Sequence, residues 1–248
     1  MILEYHRPNG LAEAVQLLNR ESPPTVPLGG GNLISRKSAE DFAVVDLQNL
    51  SLNKIHADGT VITIGSTATL EDLFLHPAMP DAVKESVHLD ATLNTRNTAT
   101  LGGMIVGGTG ESALLTVLLA LDARLEWAQD DIQQSLGDFI SLKDKFRPGK
   151  LIVSIQFSTQ VQVRMASVGR SPLDPPFLIV AISRWSSGRT RLALGGKVKK
   201  PLLAMDGSAP NGVIEAGINA CSQLSNQHIS ENYLKNITPK LIQRLSEA

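Results

Sequence analysis

The sequence contains a single cysteine, Cys221, in 248 residues. One thiol excludes a disulfide within the chain, and it also excludes a zinc site or an iron–sulfur cluster held by cysteines of this chain. Aromatic residues make up only 4% of the sequence, which argues against a surface that stacks nucleic-acid bases. These absences leave few kinds of chemistry that the chain can carry by itself.

Neither sign of charge is in excess, since 23 basic and 24 acidic side chains give a formal net charge of -1. This balance gives no reason to expect a nucleic acid or an anionic membrane as a partner. The longest apolar run, Ala113 to Leu121, is far shorter than the roughly 20 residues of a membrane span. The first ten residues have no basic segment followed by an apolar core and predict no signal peptide. We therefore expect a cytoplasmic protein with no membrane span.

Catalytic and metal-binding patterns are also missing. No G-x-S-x-G nucleophile motif and no evident acid–base pair occurs. The histidines form no HxxxH or HxH pair, so we predict no metal site and no catalytic residue on this chain. The five histidines are His6, His56, His76, His88 and His228.

The first part of the chain has the pattern of a small α/β unit. Apolar spacing predicts an amphipathic helix over Gly10 to Arg20. A short strand that runs into a glycine turn is predicted over Thr25 to Ser35, and a second strand over Phe42 to Leu47. From Lys54 to Ser66, two alternating runs flank an Asp-Gly pair, which predicts a hairpin.

The middle of the chain mixes helices and strands. Thr69, with Asp72 three residues later, predicts the start of a helix. A helix is predicted from Ser112 to Leu125, followed by a strand that begins near Arg124, and another strand is predicted over Lys150 to Phe157.

The last third predicts a separate α+β module. Alternating segments at residues 161–170 and 189–196 predict strands. Helical patterns follow at residues 212–223 and 231–247.

Two glycine-rich segments stand out, and we predict both as loops: Leu28 to Leu33, and a longer one that begins at Thr100 and continues through Gly110. Glycine lets backbone amides approach a ligand closely, and successive amides can form an anion-binding nest. The predicted helix near Ser112 would add its positive N-terminal end. Neither segment contains the Gly-Lys-Ser/Thr of a nucleoside-triphosphate loop. Each alone is as consistent with an ordinary turn, but the two together could hold a diphosphate from both sides.

The order and spacing of these pieces resemble the FAD-binding medium subunit of molybdenum hydroxylases, the group that includes carbon monoxide dehydrogenase and xanthine dehydrogenase. The resemblance covers nearly the whole chain. It rests on the following segments: YHRPNGLAEAVQLL, PLGGGNLI, VVDLQNL, VITIGSTATLEDL, RNTATLGGMI, VLLALDARL and SENYLKNITPKLIQRL. The segment RNTATLGGMI resembles the family pattern Arg-Asn-x-x-Thr-Ile-Gly-Gly-Asn. The segment VITIGSTATLEDL resembles the family pattern Ile-Gly-Ala-x-Thr-Thr.

The resemblance implies an α+β fold with an FAD-binding domain of the PCMH type over residues 1–157, divided into subdomains at about 1–52 and 53–157. A small C-terminal domain with an antiparallel sheet and helices would occupy residues 158–248. It implies FAD on this chain, with molybdopterin on a large partner subunit and a 2Fe-2S cluster on a small one. Electrons would pass from the 2Fe-2S subunit through FAD to a terminal acceptor. The flavin would carry the redox chemistry, which is consistent with the missing acid–base pair.

The resemblance also implies which residues contact FAD. They are Leu28, Gly29, Gly30, Gly31, Asn32 and Leu33 in the first segment, Thr100, Leu101, Gly102, Gly103 and Met104 in the second, and Ile152.

Several polar side chains of the family pattern are absent. Met104 stands in place of an Asn, and Gly31 in place of a polar residue. Thr109 and Ala113 stand in place of acids, and Ser167 lies near the position of a Lys. Losing several hydrogen bonds at about 0.5–1.5 kcal/mol each would weaken FAD binding by tens- to hundreds-fold.

Three hypotheses follow. The first is a working flavoprotein subunit, which the intact glycines favour. The second is a flavin-free scaffold or assembly subunit of the same kind of complex, which the absent acids favour. The third is a small-molecule-binding α/β protein unrelated to molybdenum enzymes, which the resemblance disfavours.

Overall fold

A computed structural model describes residues 1–34, 41–129, 133–142, 149–171, 174–226 and 229–247. Ser35, at the end of the first predicted strand and turn, and His228 lie outside these ranges. The chain forms two compact units, each assembled from three separate segments. The first unit contains Met1–His76, Ala91–Gly107 and Arg124–Phe157, and the second contains Pro77–Asp90, Gly108–Ala123 and Ser158–Ala248. The division into domains at residues 157 and 158 stays a prediction.

The described part of the chain combines strands and helices in an α+β arrangement. The strands are β1 (Ile2–His6), β2 (Thr25–Leu28), β3 (Phe42–Asp46), β4 (Ile55–Asp58), β5 (Val61–Gly65), β6 (Arg124–Trp127), β7 (Gln133–Ser135), β8 (Ile152–Ser158), β9 (Val161–Val168), β10 (Leu178–Trp185), β11 (Thr190–Gly196) and β12 (Leu202–Gly207). The helices are α1 (Leu11–Leu18), α2 (Leu70–Leu75), α3 (Asp81–Asp90), α4 (Leu93–Arg96), α5 (Leu101–Gly107), α6 (Ala113–Ala120), α7 (Leu136–Leu142), α8 (Val213–Leu224) and α9 (Glu231–Glu247).

The first unit contains two sheets. A parallel sheet has the order β1-β3-β2, and α1 packs on it through Ala14 and Leu18, which join a cluster with Val45 and Leu47. The second sheet has the order β4-β5-β8-β6-β7. The predicted hairpin is confirmed as β4 and β5, and Gly59 at its turn has φ +55°.

The predicted start of α2 is also confirmed. The amide of Asp72 donates to Thr69 Oγ1 at 3.1 Å, and the amide of Thr69 donates to Asp72 Oδ2 at 2.8 Å. These two reciprocal bonds satisfy two of the amides that a helix leaves unpaired at its N-terminus.

The second unit is built on an antiparallel sheet with the order β12-β11-β10-β9. Alternate residues of β10, including Val180 and Ile182, pack in one cluster with residues of α8 and α9. The intervening Ile179 and Ala181 are also buried, and α6 contacts β9, β10 and β11. Since side chains alternate between the faces of a strand, α8 and α9 cover one face of the sheet and α6 covers the other.

The predicted helix from Ser112 to Leu125 is too long. The helix α6 ends at Ala120, and Asp122 adopts the left-handed region with φ +56°. The Asp122 carboxylate pairs with Arg189 at 3.0 Å and with Arg191. The apolar run from Ala113 to Leu121 gives no sign of this turn. The pattern alone therefore overestimates the length of the helix. The strand that follows does begin at Arg124, as predicted.

No helix within the described ranges combines the length and the apolar composition that crossing a membrane requires.

Candidate functional site

The first glycine segment follows the end of β2, where Leu28 accepts a bond from the amide of Leu47 at 3.1 Å. Beyond Leu28 the chain leaves the sheet, and Gly31 adopts φ +79°. Within the part of the chain that the structure describes, four amides of this turn donate no hydrogen bond; they belong to Gly29, Gly30, Asn32 and Leu33. Gly30, Asn32 and Leu33 are exposed. Four unpaired amides, three of them in exposed residues, are donors of the kind that an anion-binding nest requires.

The position of this turn is fixed by close packing on residues 98–100. A Cβ on Gly30 would lie 1.5 Å from the carbonyl oxygen of Thr98, and a Cβ on Gly29 would lie 2.9 Å from Thr100 Oγ1. Asn32 adds a side-chain bond from Nδ2 to Thr98 Oγ1 at 3.1 Å. The structure thus brings the first glycine segment against the start of the second. Thr98 was not among the predicted site residues, because only the folded chain reveals that Gly30 packs on it.

The prediction of a loop after Thr100 is wrong, because residues 101–107 form the helix α5. Its first amides already have acceptors within the first unit. Leu101 donates to the carbonyl of Ala68 at 2.9 Å, Gly102 to the carbonyl of Ser66 at 2.8 Å, and Gly103 to Thr100 Oγ1 at 3.3 Å; Met104 donates to the carbonyl of Thr100 at 2.9 Å. Residues 101–104 therefore support the site through their packing and offer no row of unpaired amides.

Ser66 links this segment to Ile152. The amide of Ser66 donates to the carbonyl of Val153 at 2.9 Å, next to Ile152 in β8. Ile152 is only 5% exposed, so its side chain lies in the core. The buried hydroxyl of Ser66 has no hydrogen-bond partner among the described residues. Ser66 stands where the family pattern has Ala. That difference was the signal in the sequence that could have drawn attention to a polar group at this position.

The N-terminus of α6 in the second unit does not offer amides to a phosphate. The carboxylate of Asp90 accepts from the amides of Ala113 at 2.7 Å and Leu114 at 3.0 Å, and from Ser112 Oγ at 2.7 Å. Burial raises the pKa of Asp90 to about 6, although the three hydrogen bonds oppose that rise. The expectation that this helix contributes its N-terminus to a diphosphate site is therefore wrong for these amides.

The described residues contain no cluster of three or more His, Cys, Asp or Glu side chains that could hold a metal ion. Cys221 is buried in the second unit, where its thiol contacts the carbonyl of Gly217 at 3.2 Å. The candidate site is thus a set of backbone donors on a close-packed base, which can hold and orient an anionic ligand.

Residues 1–158 match the family described as FAD binding domain in molybdopterin dehydrogenase. The chain is 26% identical over 208 residues to the uncharacterized protein YgfM of Escherichia coli K12, covering 83% of this chain and 79% of that protein. It is 30% identical over 132 residues to the carbon monoxide dehydrogenase medium chain of Afipia carboxidovorans, covering 50% of this chain and 46% of that protein.

Solved structures share the fold over the whole chain. The Cu,Mo-CO dehydrogenase in its cyanide-inactivated form superposes with a TM-score of 0.77 at 20% identity, covering 100% of this chain and 98% of that chain. Quinoline 2-oxidoreductase from Pseudomonas putida 86 also has a TM-score of 0.77, at 18% identity and with the same coverage of both chains. The α+β fold implied by the sequence is confirmed by these matches.

Proposed function

Since the chain belongs to the family of FAD binding domains in molybdopterin dehydrogenases, we propose that it is the FAD-binding subunit of a cytoplasmic molybdopterin-dependent dehydrogenase. In this proposal residues 1–157 hold FAD and residues 158–248 form the C-terminal domain. A large subunit with molybdopterin and a small subunit with a 2Fe-2S cluster are its partners. Bound FAD supplies the redox chemistry by which electrons from the 2Fe-2S subunit reach a terminal acceptor.

The observation that carries the proposal is the row of unpaired amides at Gly29, Gly30, Asn32 and Leu33. Hydrogen bonds to a charged oxygen contribute about 1.5–3 kcal/mol each, so these donors fit the diphosphate of FAD. The left-handed Gly31 directs the turn, and Thr98 and Thr100 form the base on which it rests. In this account the chain binds and orients the cofactor and supplies no acid or base. Leu101, Gly102, Gly103, Met104 and Ile152 remain proposed FAD contacts.

A pair of matched variants tests the role of the turn. Gly31 (φ +79°) and Gly212 (φ +80°) have the same left-handed backbone and no atom closer than 3.7 Å to an added Cβ. Each Gly→Ala substitution therefore costs about 1–2 kcal/mol of stability through backbone strain. We expect Gly31→Ala to weaken FAD binding about ten-fold or more, because the amides move, and Gly212→Ala to leave it unchanged. Fluorescence titration with FAD measures both. Equal FAD affinity in the two variants would remove the first segment from the site.

A flavin-free scaffold is the second candidate, and two observations favour it. Met104 replaces the family's Asn, and the amides of Leu101, Gly102 and Met104 already have internal acceptors. Both reduce the number of contacts left for FAD. Co-expression with the neighbouring gene products, followed by affinity purification, distinguishes the two. A scaffold would co-purify a molybdopterin or 2Fe-2S subunit while releasing no flavin when the purified complex is denatured, whereas failure to co-purify either subunit would remove the support for a scaffold.

A further inference from the structure

The four-stranded sheet of the second unit has an open edge at β9. This strand is eight residues long, and in the described part of the chain it pairs with β10 alone. Among the described residues, the opposite edge of β9 therefore presents unpaired amides and carbonyls. Such an edge is a template on which another extended chain can pair.

Two helices flank this edge and make it the floor of a groove. Ala166 and Val168 of β9 face the cluster formed with α8 and α9. The alternate residues Val163 and Met165 face the other side, where α3 contacts β9. The groove between the α3 rim and the α9 rim has a volume of about 620 Å³, within the roughly 300–1,000 Å³ typical of ligand sites.

The two rims have opposite charge. Asp81 and Glu85 on α3 both line the groove, and they lie four residues apart on one side of that helix. On the α9 rim, Arg244 lines the groove, and Arg164 reaches the same rim, since its Nη1 donates to the carbonyl of Leu245 at 3.0 Å. Asp81, Glu85 and Arg244 form no ion pair with any residue in the described ranges. These three charges are therefore available to an occupant.

We propose that this groove binds an extended segment of a partner protein, which pairs with β9 as a fifth strand. Side chains of an added strand alternate between the two faces of the sheet. The segment that fits has basic side chains directed at Asp81 and Glu85 and acidic side chains directed at Arg244 and Arg164. The edge of β9 supplies the backbone bonds, and the two rims select the charge pattern. This surface belongs to the second unit alone and is independent of the FAD proposal.

Two blocked, dye-labelled octapeptides of identical composition test the charge pattern on the full chain. The first alternates Lys and Glu, so that each face of the added strand has one charge. The second repeats Lys-Lys-Glu-Glu and presents both charges on both faces. We expect fluorescence anisotropy at low ionic strength to detect about ten-fold tighter binding of the alternating peptide, and increasing salt to weaken it. Equal binding of the two peptides, or binding of neither, would overturn the proposal.

Variants and hydrogen exchange locate the binding. The double variant Asp81→Asn/Glu85→Gln should lose the preference for the alternating peptide, and Arg244→Gln should reduce this preference. The control Glu111→Gln/Glu215→Gln removes two exposed charges elsewhere in the second unit and should retain it. Bound alternating peptide should slow the exchange of amides in β9, which attraction between charges alone would not do. Unchanged exchange in β9, or equal losses in the two double variants, would contradict pairing at this edge.

Discussion

The two glycine segments of the first unit look alike in sequence but differ in what their backbones do. Residues 28–33 form a turn in which four amides lack acceptors, while the amides of residues 101–104 all donate to oxygens of the same unit. Glycine has a different structural role in each of the two segments. At Gly31 it permits a left-handed turn that exposes donors, and at Gly102 it permits a helix to begin against the backbone of Ser66. Glycine content alone thus does not identify a ligand-binding loop, because the position of the acceptors decides whether amides are available.

The strongest test of this comparison removes the contact between the segments. In Gly30→Ala the new Cβ would lie 1.5 Å from the carbonyl oxygen of Thr98, so the turn must separate from its base. We expect a loss of more than about 3 kcal/mol in the free energy of unfolding, measured by urea titration. Gly10→Ala is the control, since no atom lies within 4 Å of its added Cβ, and it should cost less than about 1 kcal/mol. Similar losses in the two variants would refute the close packing.

The next largest effect concerns Asp90 at the N-terminus of α6, which should make the free energy of unfolding depend on pH. The pKa of Asp90 rises from 3.8 to about 6 in the folded protein, so the folded state binds this proton more tightly than the unfolded state. The contribution to stability is complete below pH 3.8 and is lost as pH rises through 6, by on the order of 1–3 kcal/mol. Asp90→Asn should remove this dependence. Thermal unfolding between pH 4 and 7 measures it. A difference between wild type and variant that stays constant over this window would contradict the raised pKa.

Neighbouring glycines in α5 should respond differently. A Cβ on Gly102 would lie 2.9 Å from the carbonyl oxygen of Ser66, whereas on Gly103 it meets only the side chain of Thr100 at 3.1 Å. We expect Gly102→Ala to destabilise the protein by about 1–2 kcal/mol. Gly103→Ala should be within about 0.5 kcal/mol of wild type, because the higher helix propensity of Ala offsets the crowding. Chemical denaturation compares them, and a larger loss for Gly103→Ala would reverse the assignment of which glycine packs against Ser66.

The smallest expected effect concerns the side-chain tether of the first segment. Asn32→Ala removes the bond to Thr98 at a cost of about 0.5–1 kcal/mol. FAD affinity should fall by a few fold, since the turn is held less firmly. Asn49→Ala removes a comparable exposed bond to Asn9 and should leave FAD affinity unchanged. Titration of both variants with FAD measures this difference. Equal FAD affinity in the two variants would contradict a role of the Asn32 side chain in holding the turn.

Local signals in the sequence predicted local structure well. Thr69 and Asp72 predicted the start of α2, and the Asp58-Gly59 pair predicted the hairpin of β4 and β5, because both depend on residues close in the chain. The loop predicted after Thr100 is instead a helix, whose first amides bond to Ala68 and Ser66 more than thirty residues away. No local pattern contains those acceptors.

Only part of the candidate site could be predicted from the sequence. The motifs identified the first segment, and the family they implied is confirmed by the match over residues 1–158. The packing of Gly30 on Thr98, and the capture of the α6 amides by Asp90, depend on contacts that only the folded chain forms. The assignment of individual residues to FAD stays a prediction.

Reconstitution with FAD tests whether this chain binds the cofactor. The purified chain is incubated with excess FAD, desalted, and examined for flavin absorption at about 370 and about 450 nm. We predict a yellow protein that retains about one FAD per chain after desalting, with Gly31→Ala retaining less than Gly212→Ala. A wild-type chain that stays colourless after incubation would contradict it and leave the unpaired amides of the first segment without the proposed ligand.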